Sequence, residues 1–92
     1  MREIGPKHSF TVETATTNIY HGNIDEGLNK HEHLYSHVTY CAKGKILIKK
    51  EGKQLEMTIT SKPVLLKANE WHEVEILEDD SVFVNIFAQG KY

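Results

Sequence analysis

Apolar residues in this chain recur at every second position, in short runs broken by turn residues, and almost nowhere at the spacing of a helical face. Side chains alternate between the two faces of an extended strand, so this pattern commits the chain to β structure. The clearest run places Leu55, Met57 and Ile59 on one face and Glu56, Thr58 and Thr60 on the other. His72, Val74 and Ile76 share a face in a second run, and Ile46-Leu47-Ile48 and Val64-Leu65-Leu66 supply two more. Residues 18–21 predict another strand, with Ile19 and His21 inward. Phe10 and Val12 alternate with Thr11 and Glu13. Glu51-Gly52-Lys53 reads as a hairpin turn, since glycine takes a left-handed backbone at no steric cost. Residues 22–30 have the composition of a loop, and Glu78-Asp79-Asp80-Ser81 that of an acidic turn. Short strands separated by turns predict an all-β sandwich or barrel. The last strand, over 82–87, is apolar on both faces: Val82, Val84 and Ile86 on one, Phe83 and Phe87 on the other. A sheet in a two-layer sandwich has one inner face. The other, assigned to Phe83 and Phe87, predicts a subunit interface or cover by the N-terminal segment.

At 92 residues the chain is expected to form one domain over 1–92, with a core over about 19–87 and an N-terminal arm over 1–17. A domain of this size buries only about 60–68% of its unfolded surface. Its core therefore needs a supplement, and a homodimer interface or a metal are the usual ones. The net charge is −2 and the pI about 6.3, which excludes the basic footprint of a nucleic-acid binder. Lys43, Lys45, Lys49, Lys50 and Lys53 gather around a hairpin tip and read as a solvated edge. With one cysteine, Cys41, no internal disulfide can form, and that residue is expected to be a small buried hydrophobe. The N-terminus lacks the apolar run of a signal peptide and no segment reaches membrane-spanning length, so a cytoplasmic location without membrane contact is expected.

The chemistry concentrates in His31-Glu32-His33-Leu34-Tyr35-Ser36-His37. His31, His33 and His37 share one parity, so on an extended strand all three project to the same side. Imidazole is the commonest protein ligand for divalent first-row metals, and three on one face outweigh a solvated histidine edge. With His37 inward, Thr39 and Cys41 are inward as well. His72, after a turn and on a separate strand, would be the remote fourth ligand. Tyr35 has the parity of the ligands and either hydrogen-bonds a substrate, donates a proton to it, or packs. His21 is a candidate partner for a ligating ring, and Trp71 a core or interface residue. Glu32, Glu70 and Glu73 read as solvated charges. No Ser-His-Asp or Cys-His-Asn arrangement and no paired inward carboxylates are recognisable.

These residues resemble the two motifs of the cupin superfamily, specifically its small single-domain members. His31-x-His33-x3-His37-x6-Gly44 is similar to the first motif, G-x5-H-x-H-x3,4-E-x6-G, with histidine where glutamate is usual. Lys67-Ala68-Asn69-Glu70-Trp71-His72 falls where the second motif has P-x-G-x-x-H. Gly27 stands too close to His31 to be the leading glycine. Ser61, Lys67, Asn69 and Ile76 replace the second motif's glycine, proline, glycine and asparagine. Asn69 is tolerable there, because asparagine takes positive φ more readily than most residues. The resemblance implies a double-stranded β-helix, or jelly-roll barrel. It also implies a four-histidine site for one divalent metal (Mn, Fe, Ni, Cu or Zn) with two open positions. Four neutral ligands leave the dication's charge whole and favour an anionic ligand. The expected function is a metal-dependent, dioxygenase-like oxidoreductase acting on a small enol, diketone, catechol or thiol, walled by Tyr35, Thr39 and Met57. Two rivals are a non-catalytic metal or small-ligand sensor, and an isomerase or lyase using Tyr35, His21 or Cys41.

Overall fold

The computed structural model describes residues 1–88. Ten strands run β1 (Arg2–Glu3), β2 (His8–Val12), β3 (Ala15–Gly22), β4 (Glu26–His31), β5 (His37–Lys43), β6 (Ile46–Lys50), β7 (Lys53–Met57), β8 (Val64–Leu66), β9 (His72–Ile76) and β10 (Ser81–Ala88), with no helix among the described residues. They form two five-stranded sheets, ordered β1-β4-β9-β6-β7 and β2-β3-β10-β5-β8. The connections β3 to β4, β4 to β5, β5 to β6, β8 to β9 and β9 to β10 each change sheet, which is the winding of a double-stranded β-helix. Among the described residues no helix is long and apolar enough to cross a membrane.

Alternation holds where one face alone is apolar. His37, Thr39 and Cys41 on β5 and His72, Val74 and Ile76 on β9 are all buried. Tyr20 and Phe83, register partners on β3 and β10, stack with ring centroids 4.8 Å apart. Each large apolar side chain withdrawn from water contributes roughly 1.5–3 kcal/mol. Tyr20, Phe83, Ile46, Ile48 and Leu66, all at 1% exposure or less, therefore form the centre of the core. Cys41 lies in it as a small apolar group.

Four expectations change. Residues 22–30 are not all loop: β4 occupies Glu26–His31, held in a ladder between β1 and β9 that overrides its Gly and Asn content. On β3 it is Tyr20 that faces inward, while His21 is exposed and hydrogen-bonds Asp80. β7 ends at Met57, because Thr58 and Ser61 close a turn there, and Ile59 is 67% exposed. Phe83 and Phe87 are core residues at 0% and 5% exposure, so the outer side of β10 belongs to Val82, Val84 and Ile86.

The two outer faces are unlike. On the first sheet Lys49 pairs with Glu73 and Glu75 at 3.5 and 3.1 Å, and Lys45 with Glu56 at 3.4 Å. On the second, the registers set Leu65, Val38, Ile86, Thr17 and Phe10 side by side across all five strands.

One close approach positions the site. A Cβ at Gly27 would lie 2.0 Å from the Val74 carbonyl oxygen, so only glycine lets β4 lie against β9 here. Beyond it the register runs Leu28↔Val74 and then His31↔His72, one residue more on β4 than on β9. A bulge of this kind reverses the parity of the residues beyond it. Leu28 and His31, three apart, thus both turn toward the interior. Gly27→Ala is expected to cost about 3 kcal/mol or to prevent folding. Gly52→Ala, at φ +72° but with nothing within 4 Å of its new Cβ, costs only about 1–2 kcal/mol. Urea denaturation midpoints compare them, and equal losses would show that β4 moves freely off β9.

Candidate metal centre

Three histidines, His31, His33 and His72, converge from separate places in the chain, and a fourth, His37, adjoins His72. His31 ends β4 and faces its register partner His72, the first residue of β9. His37 begins β5, in the other sheet. His33 lies in the crossing over 32–36, so His31, His33 and His37 do not share a single strand. The crossing has no neighbouring strand to pair with, because it passes from one sheet to the other. Its burial alternates even though its backbone bends at Leu34 and Tyr35: His31, His33 and Tyr35 are half-buried, Glu32, Leu34 and Ser36 exposed, and His37 buried. Two hydrogen bonds pin it to the turn before β9. The Ala68 amide donates to Ser36 Oγ at 3.0 Å and the Asn69 amide to the His33 carbonyl at 2.7 Å. Asn69 takes φ +62°, the conformation its residue type tolerates. This turn sets the His33 and His72 ring centroids 4.9 Å apart.

Ring nitrogens of His31, His33 and His72 lie within 4.8 Å of one another. His37 Nε2 approaches His72 Nε2 to 3.4 Å. The partners of the other nitrogens decide what that approach means. His31 Nδ1 donates to the Asn29 carbonyl at 2.6 Å and His72 Nδ1 to the Glu70 carbonyl at 3.1 Å. A carbonyl oxygen only accepts, so both rings carry their proton on Nδ1 and a lone pair on Nε2. Thr39 Oγ1 gives its proton to Asn85 Oδ1 at 2.6 Å, and so accepts from His37 Nδ1 at 3.2 Å. His37 Nε2 is therefore also a lone pair. Two lone pairs facing across 3.4 Å repel unless a cation lies between them.

A proton does not serve as that cation near neutrality. Burial, followed by the neighbouring His72 and His33, pushes His37 down from 6.5 to about 3. Burial and then His31 push His72 down to about 4, and His33 is lowered by burial and His31. Neutral imidazole nitrogens suit zinc, copper, iron and nickel, so the residues present fit a divalent transition metal.

Beside His31 and His33 opens a cleft of about 460 Å³, lined also by Glu3, Asn29, Lys30 and Tyr35. The Tyr35 ring stacks on His33 at 4.6 Å between centroids. Lys30 Nζ sits 4.5 Å above the Trp71 ring, and Trp71 itself lines a separate cleft with Lys49, Lys50 and Gln54. Glu3 accepts from the Asn29 amide at 3.0 Å. Thr39 lies beneath His37 as a hydrogen-bond partner as well as a wall residue. Cys41 is directed away, its thiol against the Lys43 and Gly44 carbonyls and pushed up by burial. His21 lies toward the other end of β10, with Asp80. Sequence reasoning missed Ser36, Asn85, Lys30, Glu3 and the two carbonyls. Only Asn85 had a visible signal, a polar residue at the parity of Phe83 and Phe87.

No protein-family model matches the chain, and no curated protein matches it in sequence. Solved structures do match. KdgF from Halomonas sp. aligns over 88% of this chain and 74% of its own, at 14% identity and a TM-score of 0.78. A cupin-2 domain-containing protein from Shewanella frigidimarina aligns over 91% and 82%, at 9% identity and 0.73. A cupin 2 domain-containing protein from Halorhodospira halophila aligns over 92% and 64%, at 12% identity and 0.81. The similarity is one of fold: the chain has the cupin fold.

The lowered histidines set a pH dependence. Unfolded, the two rings bind protons near 6.5; folded, they do so only at about 3 and 4. Between these values the unfolded state holds more protons, so this contribution to stability is full above 6.5 and is lost as pH falls toward the folded values. Chelator-treated protein is expected to show a urea midpoint that declines through this window, and His37→Leu to flatten the decline. A slope that survives this substitution unchanged would rule His37 out as its source.

Proposed function

We propose that this chain is a metal-dependent oxidoreductase of cupin fold. His31, His33, His37 and His72 hold one divalent transition metal, and a small enol, diketone, catechol or thiol is oxidised by dioxygen in the cleft beside it. The observation that carries this reading is the pair of Nε2 lone pairs facing across 3.4 Å, with every identified Nδ1 proton committed elsewhere. That arrangement is unfavourable empty and favourable around a cation. An all-imidazole donor set accommodates manganese, iron, nickel, copper or zinc.

When bound, such a metal supplies a Lewis acid that eases deprotonation of a coordinated oxygen or sulfur acid. The chain's own groups do the rest. Asn29 and Glu70 carbonyls fix the His31 and His72 rings, and the Asn85–Thr39 pair fixes His37. Lys30 at the cleft favours an anionic substrate, in keeping with four ligands that carry no charge. Tyr35, stacked on His33 at the mouth, hydrogen-bonds the substrate oxygen and returns its proton. Buried Thr39 and Met57 belong to the packed barrel interior that excludes water.

Untagged protein is expected to carry about one metal per chain after dialysis against dications, as one ligand cluster allows. His72→Ala removes most of it. Thr39→Val takes the acceptor from His37 Nδ1 and weakens metal affinity about 10–100-fold, whereas Thr39→Ser keeps it. Metal analysis and chelator competition measure both, and protein that takes up no metal overturns the reading. Oxygen uptake across diketones, catechols and thiols tests the chemistry, with Tyr35→Phe expected to slow it about 100-fold. Tight substrate binding by metal-loaded protein without oxygen uptake would make the chain a binding module instead.

A further inference from the structure

We infer that an ion pair between Lys50 and Glu70 is the positioning device of His72, an inference that rests on the metal reading above. β6 and β9 pair in the register Ile46↔Ile76, Ile48↔Val74 and Lys50↔His72. Residues two apart on a strand share a face, so Lys50 continues the inward row of Ile46 and Ile48 to the end of the barrel. An apolar residue there would simply extend the core. The lysine side chain instead stands 12% exposed, its Nζ 3.2 Å from Oε1 of a Glu70 carboxylate that is 21% exposed. That oxygen is closed off from water, and either charge alone would be costly there. Glu70 is therefore not the solvated charge its place in a turn suggests.

The pair bears on His72 through a single residue. The Glu70 carbonyl takes the His72 Nδ1 proton at 3.1 Å, which leaves the lone pair on Nε2. Without a hold on that carbonyl, the ring would gain by carrying its proton on Nε2 instead, where His37 Nε2 at 3.4 Å would accept it. Lys50 thus anchors, by its side chain, the residue whose main chain fixes the His72 tautomer. A second lysine grips the same turn from the opposite side. β9 lies between β4 and β6, and Lys30 of β4 sets its Nζ 4.5 Å above the Trp71 ring. Each strand flanking β9 so sends a lysine to one of the two residues just ahead of His72. Lys49, one residue earlier on β6 and on the outer face, pairs with Glu73 and Glu75.

This grip supplies what the turn's own residues do not. Lys67 and Asn69 stand where the motif it resembles has proline and glycine, and a turn without proline has more conformations open to it. Hydrogen bonds from the Ala68 and Asn69 amides tie the first half of the turn to the 32–36 crossing. The Lys50–Glu70 pair ties the second half, next to the ligand. Because the carboxylate offsets the ammonium, an inward lysine can stand across from His72 without repelling a dication.

The tautomer of His72 in the metal-free full chain, read from long-range proton–nitrogen NMR spectra above neutrality, tests the device apart from the metal reading. The wild-type ring is expected to hold its proton on Nδ1 alone. Lys50→Met removes the charge at similar side-chain volume; it is expected to let the Nε2–H form appear and to weaken cobalt(II) binding about tenfold in chelator competition. Glu70→Gln does the same and carries the test if Lys50→Met fails to fold. The double variant binds cobalt no worse than the weaker single, since the two side chains act as one unit. Lys49→Met removes an ion pair from the same strand yet leaves the His72 tautomer as in the wild type, which separates positioning from a general loss of stability. A His72 ring that stays wholly Nδ1–H in whichever of the two variants folds, or cobalt losses that add in the double variant, overturns the inference. Wild-type protein that takes up no cobalt overturns the metal reading instead, and the tautomer still decides whether the pair positions the ring.

Discussion

His37 and His72 bring two unprotonated ring nitrogens within 3.4 Å inside the barrel, and much of the surrounding polar structure keeps them that way. Leaving a buried polar group unsatisfied costs about 1–3 kcal/mol. A core free of functional demand would fill these positions with Leu or Val. Here it also carries Thr39 and Asn85, at 0% and 1% exposure, whose one shared task is to fix the proton on His37 Nδ1. A cation bound between His37 and His72 would turn the repulsion of their lone pairs into cohesion, and binding would then be linked to folding. In a chain of 92 residues such a link would be a sizeable supplement to a small core.

The proposed ligands come from both layers. β4 and β9 lie in one sheet and β5 in the other, and the 32–36 crossing joins them without a ladder of its own. Its position depends on Ser36 and the His33 carbonyl taking hydrogen bonds from Ala68 and Asn69. Gly27 and the bulge after Leu28 place His31 opposite His72. Four imidazoles around one ion would tie the two sheets together at an end where few backbone hydrogen bonds do so.

Period-two alternation made β5 and β9 legible from sequence, and with them the inward set of His37, Thr39, Cys41, His72, Val74 and Ile76. It failed where both faces are apolar. On β10 the Phe and Val faces are equally hydrophobic, and only pairing with Tyr20 and Cys41 makes the Phe side the inner one. The same ambiguity inverted Ile19 and Tyr20. A one-residue bulge leaves no local signature, so the parity of His31 relative to Leu28 could not be read from spacing. Gly and Asn in residues 22–30 were outweighed by neighbouring strands on both sides.

β5 and β10 serve two surfaces with one backbone. His37, Thr39 and Asn85 face the site, while Val38, Tyr40, Val84 and Ile86 alternate with them on the outside. A strand displaced by one residue would exchange these sets, pushing imidazoles into the apolar face and valines into the ligand cluster. Register is held most firmly where both faces have something to lose, and in this chain β5 and β10 are such strands.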